Sequence, residues 1–199
     1  MTTATLPTPK ASPMRPFRWT VKAFHNACER KVWGEGKRMI LIRGELFEVP
    51  PMNPLHATGV MLVGKALLPI VPSGHELRQQ LPLVLELETD PIPDFALVVG
   101  GVRDFVKLHP KSARLVVEIA VSSLTVDITT KAELYATALV PEYWILDMDN
   151  RVLHVLRDPA PIPGNGAASY RTHLELKADQ SVTTLTVPDK SIPVASLLP

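Results

Sequence analysis

The segment over residues 115–121 constrains the fold more than any other part of the chain. Its sequence, Leu-Val-Val-Glu-Ile-Ala-Val, is apolar on both alternating faces apart from Glu118. Such a pattern is typical of a central β-strand that is covered on both sides of its sheet. A carboxylate in that position has to be paired, hydrogen-bonded or bound to a metal, because an isolated buried charge is too costly to keep ionised. Glu118 is therefore the first candidate for a functional residue.

Two further charged residues occupy positions where apolar side chains are expected. Asp94 closes the sequence Pro-Ile-Pro-Asp and opens the apolar run 95–99, which predicts a second buried strand. Lys131 lies in a predicted helix that ends near residue 139, on the apolar stripe formed by Ile128, Ala132, Tyr135 and Leu139. Two acids and a lysine that all face inward indicate a site rather than a core.

The chemistry of these three residues favours metal-assisted hydrolysis. If the two strands are neighbours, the carboxylates of Asp94 and Glu118 converge on one hard cation such as Mg²⁺, through oxygen ligands at about 2.1 Å. The cation would lower the pKa of a bound water and neutralise charge on a phosphodiester. Lys131 would position or deprotonate that water, or stabilise the developing charge. The pattern therefore suits hydrolysis of a nucleic-acid backbone.

Length and composition predict one folded domain over residues 17–199, after a disordered or extended leader over residues 1–16. The chain has 199 residues, of which 46% are apolar, and its net charge of +1 counts mildly against a tight non-specific DNA binder. Cys28 is the only cysteine, which excludes an internal disulfide and fits a cytoplasmic location. Because it lies on the apolar face of the first predicted helix, it is expected to be a small core residue. No run has the length of a membrane span, since Lys65 and Pro69 interrupt the most apolar candidate.

The order of predicted elements is that of an α/β protein with added hairpins. A helix capped by Thr20 precedes a hairpin turning at Arg43-Gly44 and a helix over residues 56–68. Strands are predicted over residues 76–81, 83–88, 95–99, 115–121, 143–146 and 151–156, followed by a loop over residues 159–166 and short strands from Tyr170. The strand, helix and strand around the suspected site predict a βαβ crossover in a mixed sheet.

Several short motifs follow one another in the second half of the chain. They are Pro93-Asp94 before an apolar strand, Glu118 in a segment ending at Ser123-Leu124, Asp127 four residues before Lys131, Tyr135-Ala136, and Pro141-Glu142-Tyr143-Trp144-Ile145-Leu146-Asp147. In this combination the chain resembles the Uma-type restriction endonuclease family of the PD-(D/E)XK nuclease superfamily. The resemblance spans roughly residues 17–158.

The resemblance implies a restriction-endonuclease-like fold, with a mixed central sheet flanked by helices and with extra β-hairpins. It implies a metal-dependent endonuclease that hydrolyses DNA with Mg²⁺ or Mn²⁺. Asp94 and Glu118 would be the metal-binding acids, and Lys131 would be the catalytic lysine. In the superfamily that lysine usually lies two residues after the glutamate, where this chain has Ala120, so Lys131 would reach the same point from the helix.

The amino-terminal part of the motif pattern differs from the family. The family's Glu-Leu-Ile-Asp-Gly-Glu stretch reads Ile-Leu-Ile-Arg-Gly-Glu here, so Ile40 and Arg43 replace two acids, while Glu45 is kept. Glu45 or Glu48 is therefore a candidate for compensating the lost acids. His56 matches the family's usual histidine at the start of a helix and is a candidate for contacting metal-bound water or phosphate.

Each candidate residue also has a purely structural explanation. Asp94 suits a turn after proline, and Glu118 can pair with Arg114. Asp127 is favoured as the N-cap of the helix over a metal ligand. Lys131 can extend its ammonium out of the core into solvent.

Three functions therefore remain open from the sequence. Besides the nuclease, the chain can be a catalytically impaired member of the same fold that binds nucleic acid or protein, which Ile40, Arg43 and Ala120 favour. It can also be a structural protein whose acids form buried salt bridges. A nuclease that cuts both strands of DNA is expected to be a homodimer, with the hairpin over residues 143–156 and the strands after Tyr170 as candidate surfaces.

Overall fold

The computed structural model describes residues 15–164 and 166–199, so the predicted leader lies almost entirely outside the described residues. The helices are α1 (Val21–Glu29), α2 (Pro54–Leu67), α3 (Leu124–Val126) and α4 (Ala132–Thr137), and a π-helical turn, Asp127–Lys131, joins α3 to α4. The strands are β1 (Arg38–Ile42), β2 (Glu45–Val49), β3 (His75–Gln79), β4 (Phe95–Val99), β5 (Leu115–Ala120), β6 (Glu142–Asp147), β7 (Val152–Pro161), β8 (Ala168–Lys177), β9 (Ser181–Thr183) and β10 (Ser191–Pro193).

A six-stranded mixed sheet, in the order β3-β4-β5-β6-β7-β8, forms the centre of the protein. Among the described strands, only β5 and β6 pair in parallel, and the α3–α4 segment crosses between them. The other neighbours pair antiparallel, and β1–β2 and β9–β10 form two separate two-stranded sheets. The predicted mixed α/β fold with extra hairpins and a βαβ crossover is therefore confirmed.

Apolar layers cover both faces of the sheet, which explains why β5 is apolar on both sides. Val117 packs with α2 residues such as Val60 in one layer. Val116 packs on the opposite face with Tyr135 of α4. All six residues of β5 are buried. Because alternate strand residues face opposite sides, Glu118 lies on the face that the α3–α4 segment covers.

The sequence-based prediction of a strand over residues 83–88 is wrong. The backbone N–H of Leu83 donates to the carbonyl of Pro91, and that of Leu85 donates to the carbonyl of Thr89. These bonds fold the segment back on itself around a turn. Leu83 is fully buried against the sheet, but it belongs to an irregular loop.

Three smaller expectations also require correction. Cys28 is exposed rather than a core residue, since α1 buries Phe24 and Ala27 instead. The expected loop over residues 159–166 begins later, because β7 continues to Pro161. The short strands expected from Tyr170 begin instead with β8, a long strand of ten residues. The hairpin over residues 143–156 is not a docking surface, because all of β6 is buried inside the sheet.

Candidate active site

Asp94 lies at the start of β4, opposite Glu118 of β5. The antiparallel register pairs Phe95 with Val117, so the residue before Phe95 faces the residue after Val117. One carboxylate oxygen of Asp94, Oδ2, accepts a 2.9 Å hydrogen bond from the backbone N–H of Ile119. The strand pairing therefore brings two acids, which are 24 positions apart in sequence, to one point of the sheet.

Asp94 is the more strongly hydrogen-bonded of the two acids. Its Oδ1 accepts from the side-chain amide of Gln80 at 3.1 Å, and its Oδ2 also lies 3.1 Å from Nε2 of His56. Burial alone would raise the pKa of Asp94, but the bonds from His56, Ile119 and Gln80 hold it below its usual value. Asp94 is therefore kept as an anion in a site that is almost closed to solvent.

Glu118 is buried with two partners from the helical segment. Lys131 Nζ lies 3.0 Å from Oε2, and the Tyr135 hydroxyl donates to Oε1 at 2.7 Å. Burial raises the pKa of Glu118 to about 7, against the lowering effect of Lys131, and the negative charges of Asp94 and Asp127 raise it further. Near neutral pH Glu118 can therefore take up or release a proton.

Lys131 joins two carboxylates rather than extending into solvent. Its ammonium lies 2.8 Å from Oδ1 of Asp127 and 3.0 Å from Glu118, and its side chain is 19% exposed. Burial lowers the pKa of Lys131, but the charges of Glu118 and Asp127 outweigh burial and hold the pKa above its usual value. Lys131 is therefore a fixed cation in this cluster.

Asp127 was expected to be a helix N-cap, and this expectation is wrong. Ser123 precedes the helix, and Asp127 is the first residue of the π-helical turn, with its side chain fully buried. The Ser123 hydroxyl donates to Asp127 Oδ2 at 2.5 Å. Such π turns occur often at functional sites because they re-aim side chains. Here the turn begins at Asp127 and ends at Lys131, the two residues that form the ion pair.

His56 and Glu45 have different relations to the cluster. His56, in the first turn of α2, contacts Asp94 directly, and the hydrogen bond with Asp94 raises the pKa of His56, whereas burial lowers it. Glu45 lies exposed at the start of β2, and no contact joins it to the described cluster. Arg43, at the second replaced acid, pairs with Glu133 of α4 at 2.5 Å.

Sequence reasoning missed two residues of the cluster. Tyr135 was interpreted as core packing, although its position four residues after Lys131 places both side chains on one helix face. Gln80 lies near the end of the predicted strand over residues 76–81, and nothing in the sequence marks it as a site residue. Its approach to Asp94 follows from the pairing of Gln79 with Phe95, which no local pattern reveals. Arginine side chains cap neither Asp94 nor Glu118 among the described residues.

Comparison with known proteins identifies the family of this chain. A family model described as "Putative restriction endonuclease" (Uma2) matches residues 21–194. The crystal structure of a protein described as a "putative nuclease belonging to DUF820", from Anabaena variabilis, is similar with a TM-score of 0.57 and 15% sequence identity, and the match covers 80% of this chain and 88% of that chain. At this identity the similarity concerns the fold alone.

A second solved structure, the type IIG restriction endonuclease BpuSI, matches with a TM-score of 0.35 and 14% identity over 52% of this chain and 11% of that chain. That similarity is too low to carry an argument. A search of the curated proteins gave no match. No helix in the described part of the chain is long and apolar enough to cross a membrane. Because the family model covers most of the sequence, the chain belongs to the Uma2 restriction endonuclease family.

Proposed function

We propose that this protein is a divalent-metal-dependent endonuclease that hydrolyses DNA, with Mg²⁺ or Mn²⁺ as its cofactor. Asp94 and Glu118 would hold the metal, and Lys131 would be the catalytic lysine. The observation that carries the proposal is the meeting of these three residues, from two strands and a helix, in one buried cluster. A homodimer and a cytoplasmic location are also part of the proposal.

The two carboxylates retain enough free acceptor capacity for a cation. A carboxylate has about four lone-pair sites. Asp94 uses three of them, for His56, Gln80 and Ile119. Glu118 uses two, for Lys131 and Tyr135. The remaining sites are oxygen donors, which Mg²⁺ and Mn²⁺ prefer.

A bound divalent cation would supply a water of lowered pKa and neutralise charge on the phosphodiester. The protein's own residues would do the rest. Lys131, whose pKa is held above its usual value by Glu118 and Asp127, suits the stabilisation of negative charge better than the abstraction of a proton. Asp127 holds the lysine ammonium near Glu118. Tyr135 orients Glu118 through its hydroxyl.

His56 would have two roles in this site. Its Nε2 hydrogen bond fixes the carboxylate of Asp94. Its Nδ1 is a buried polar atom without a hydrogen-bond partner among the described residues. Because the contact with Asp94 raises the pKa of His56, the protonated ring would carry an Nδ1–H donor. A rotation that brings this buried atom to the surface would let it donate to a phosphate oxygen of the DNA.

A catalytically impaired member of the family is the second candidate function. The observation that favours it is the replacement of two family acids by Ile40 and Arg43, together with the ion pair between Glu118 and Lys131. Such a protein would bind DNA or a protein partner without cutting. The two candidates make different predictions for a digestion assay.

The test is digestion of supercoiled plasmid, linear DNA and RNA with Mg²⁺, with Mn²⁺ and with EDTA. Wild type is expected to cut DNA only with metal, and Asp94→Ala, Glu118→Gln and Lys131→Met are each expected to lower the rate at least about 100-fold. Asp158→Ala, at an exposed acid of β7, is the matched control and should cut like wild type.

Absence of metal-dependent cleavage in the wild type, with DNA binding retained in a gel-shift assay, would support the impaired family member instead. Cleavage that survives Asp94→Ala would contradict the assigned site. Circular dichroism of each variant separates loss of the site from loss of the fold.

A further inference from the structure

Two histidines and a glutamate form a compact cluster on the last two strands of the sheet, outside the nuclease site. His154 lies on β7, and His173 and Glu175 lie two residues apart on β8, where Glu175 is opposite His154 in the register. One ligand atom from each of the three side chains lies within 4.8 Å of the other two. Strand pairing therefore directs three metal-binding side chains to one face of the sheet.

The spacing of these atoms fits a small tetrahedral cation. Nδ1 of His154 is 3.0 Å from Nε2 of His173 and 3.8 Å from Oε1 of Glu175. Ligands placed about 2.1 Å from a tetrahedral Zn²⁺ are about 3.4 Å from one another. The two distances in the structure lie on either side of that value, so small side-chain rotations would complete the geometry.

Burial distinguishes this cluster from a chance group of surface residues. His154 is 6% exposed, and its Nε2 has no hydrogen-bond partner among the described residues. The exposed His173 and Glu175 leave an open side through which a cation can enter.

Asp147 supplies a second layer around the cluster. Its Oδ2 lies 3.9 Å from Nε2 of His154, on the opposite side of the ring from His173. Asn150 holds the same carboxylate with its side-chain amide at 2.8 Å and its backbone N–H at 3.0 Å. A carboxylate behind a ligating histidine is the usual second layer of a zinc site, because it orients the ring and its proton.

We propose that His154, His173 and Glu175 bind a Zn²⁺-class divalent cation, with Asp147 as the residue that orients His154. Two nitrogens and one oxygen suit Zn²⁺ and not Mg²⁺, which prefers oxygen ligands alone. When the cation binds, the proton of the hydrogen bond between the two imidazoles moves to the other nitrogen of the same ring, so both rings stay neutral and each offers a lone pair to the cation. Three protein ligands leave the fourth position to water.

This site is separate from the proposed nuclease site and does not depend on it. Glu118, Ile145 and His154 lie side by side on three neighbouring strands. The nearest residues of the two sites, Glu118 and His154, are therefore two strand spacings, or about 10 Å, apart. A cation bound here would link β7, through His154, to the edge strand β8, through His173 and Glu175. It would therefore stabilise that edge of the sheet.

The test is Zn²⁺ titration of the metal-free full-length protein by calorimetry, with Co²⁺ absorption as a probe of a tetrahedral nitrogen site. Wild type is expected to bind one Zn²⁺ here, and His173→Ala is expected to weaken that binding by more than about 100-fold, because even residues behind the ligands contribute about 10–100-fold. Asp147→Asn should weaken it by about 10–100-fold. His75→Ala, at a histidine of β3, is the matched control and should bind like wild type.

Thermal unfolding gives a second measurement. At free Zn²⁺ of 100 times the dissociation constant, wild type should gain about 5–10 °C in Tm over His173→Ala. Asp94→Ala should keep the Zn²⁺ affinity of wild type, which separates this site from the nuclease proposal. Equal Zn²⁺ affinity and equal Co²⁺ spectra in wild type, His173→Ala and Glu175→Ala would overturn the proposal and leave a hydrogen-bonded histidine pair only.

Discussion

At the scale of single residues, the structure holds two neighbouring carboxyl groups at different pKa values. Hydrogen bonds from His56, Gln80 and Ile119 outweigh burial and lower the pKa of Asp94. Burial raises that of Glu118 to about 7. Neighbouring acids with separated pKa values are common where one group must stay charged and another must exchange protons or ligands. Asp94 and Glu118 are such a pair.

The raised pKa of Glu118 predicts how stability depends on pH in EDTA. Between its ordinary value of 4.5 and about 7, the folded state binds more protons at Glu118 than the unfolded state does. Its contribution to the free energy of unfolding therefore falls as pH rises through this window. Glu118→Gln should remove this pH-dependent decrease. Relative to wild type, the free energy of unfolding of the variant should therefore rise by up to about 3 kcal/mol between pH 4.5 and pH 7.5.

Urea unfolding at several pH values measures this difference. Glu48→Gln, which changes an exposed acid paired with Lys37, is the control and should follow the wild-type profile. A Glu118→Gln variant that loses stability relative to wild type over the same pH window would contradict the prediction, because the charged form would then be the stabilising one.

At the scale of elements, α2 positions His56 by packing closely on β5. A Cβ added at Gly59 would lie 2.9 Å from Cγ2 of Ile119 and 3.1 Å from Cε of Met148. Glycine therefore allows the helix to approach the strand. Because His56 lies one turn before Gly59, the helix position also fixes the contact between His56 and Asp94.

Gly59→Ala should separate α2 from β5. Overpacking costs about 1–3 kcal/mol, and the better helix propensity of alanine returns about 1 kcal/mol, so a net loss of up to about 2 kcal/mol in the free energy of unfolding is expected. Metal-dependent cleavage should fall as well, since His56 moves away from Asp94.

Gly64→Ala is the matched control on the same helix. Its added Cβ would lie 3.5 Å from Phe95, which is an ordinary contact. Because alanine loses less conformational freedom than glycine on folding, the free energy of unfolding of this variant should rise by about 0.5–1 kcal/mol. Chemical denaturation of both variants checks the pair. Equal stability changes at Gly59 and Gly64 would show that close packing at Gly59 does not position the helix.

At the scale of the whole molecule, the expected homodimer needs a surface other than the buried hairpin β6–β7. Four apolar side chains, Val99, Val102, Val106 and Leu108, are more than half exposed between the end of β4 and the start of β5. They follow the strand that pairs with the edge strand β3. An exposed apolar group of this kind is a candidate interface between two copies of the chain.

The dimer prediction is tested by light scattering at micromolar concentration, with and without DNA. Wild type is expected to be a dimer, and the double variant Val106→Lys with Leu108→Lys is expected to be a monomer, because two charges would have to be buried. Leu87→Lys, at a leucine 85% exposed elsewhere on the surface, should remain a dimer. A monomeric wild type under both conditions would contradict the prediction.

The sequence by itself determined the elements around the site. The two-sided apolar run through Glu118 identified an interior strand, and the following helical stripe with Lys131 identified the crossover to β6. Both signals are local, because side-chain periodicity reports which faces an element buries. The same local signal misled at Leu83, whose burial comes from a folded loop rather than a strand.

Only the tertiary structure decided which residues meet. The register of β4 on β5 brings Asp94 to Glu118. The end of β3 brings Gln80 to Asp94. The π-helical turn makes Asp127 a partner of Lys131 instead of the expected helix cap. The cluster of His154, His173 and Glu175 likewise depends on the pairing of β7 with β8. Local sequence sets the type of an element, whereas register, and with it the composition of a site, depends on packing between segments that are distant in the chain.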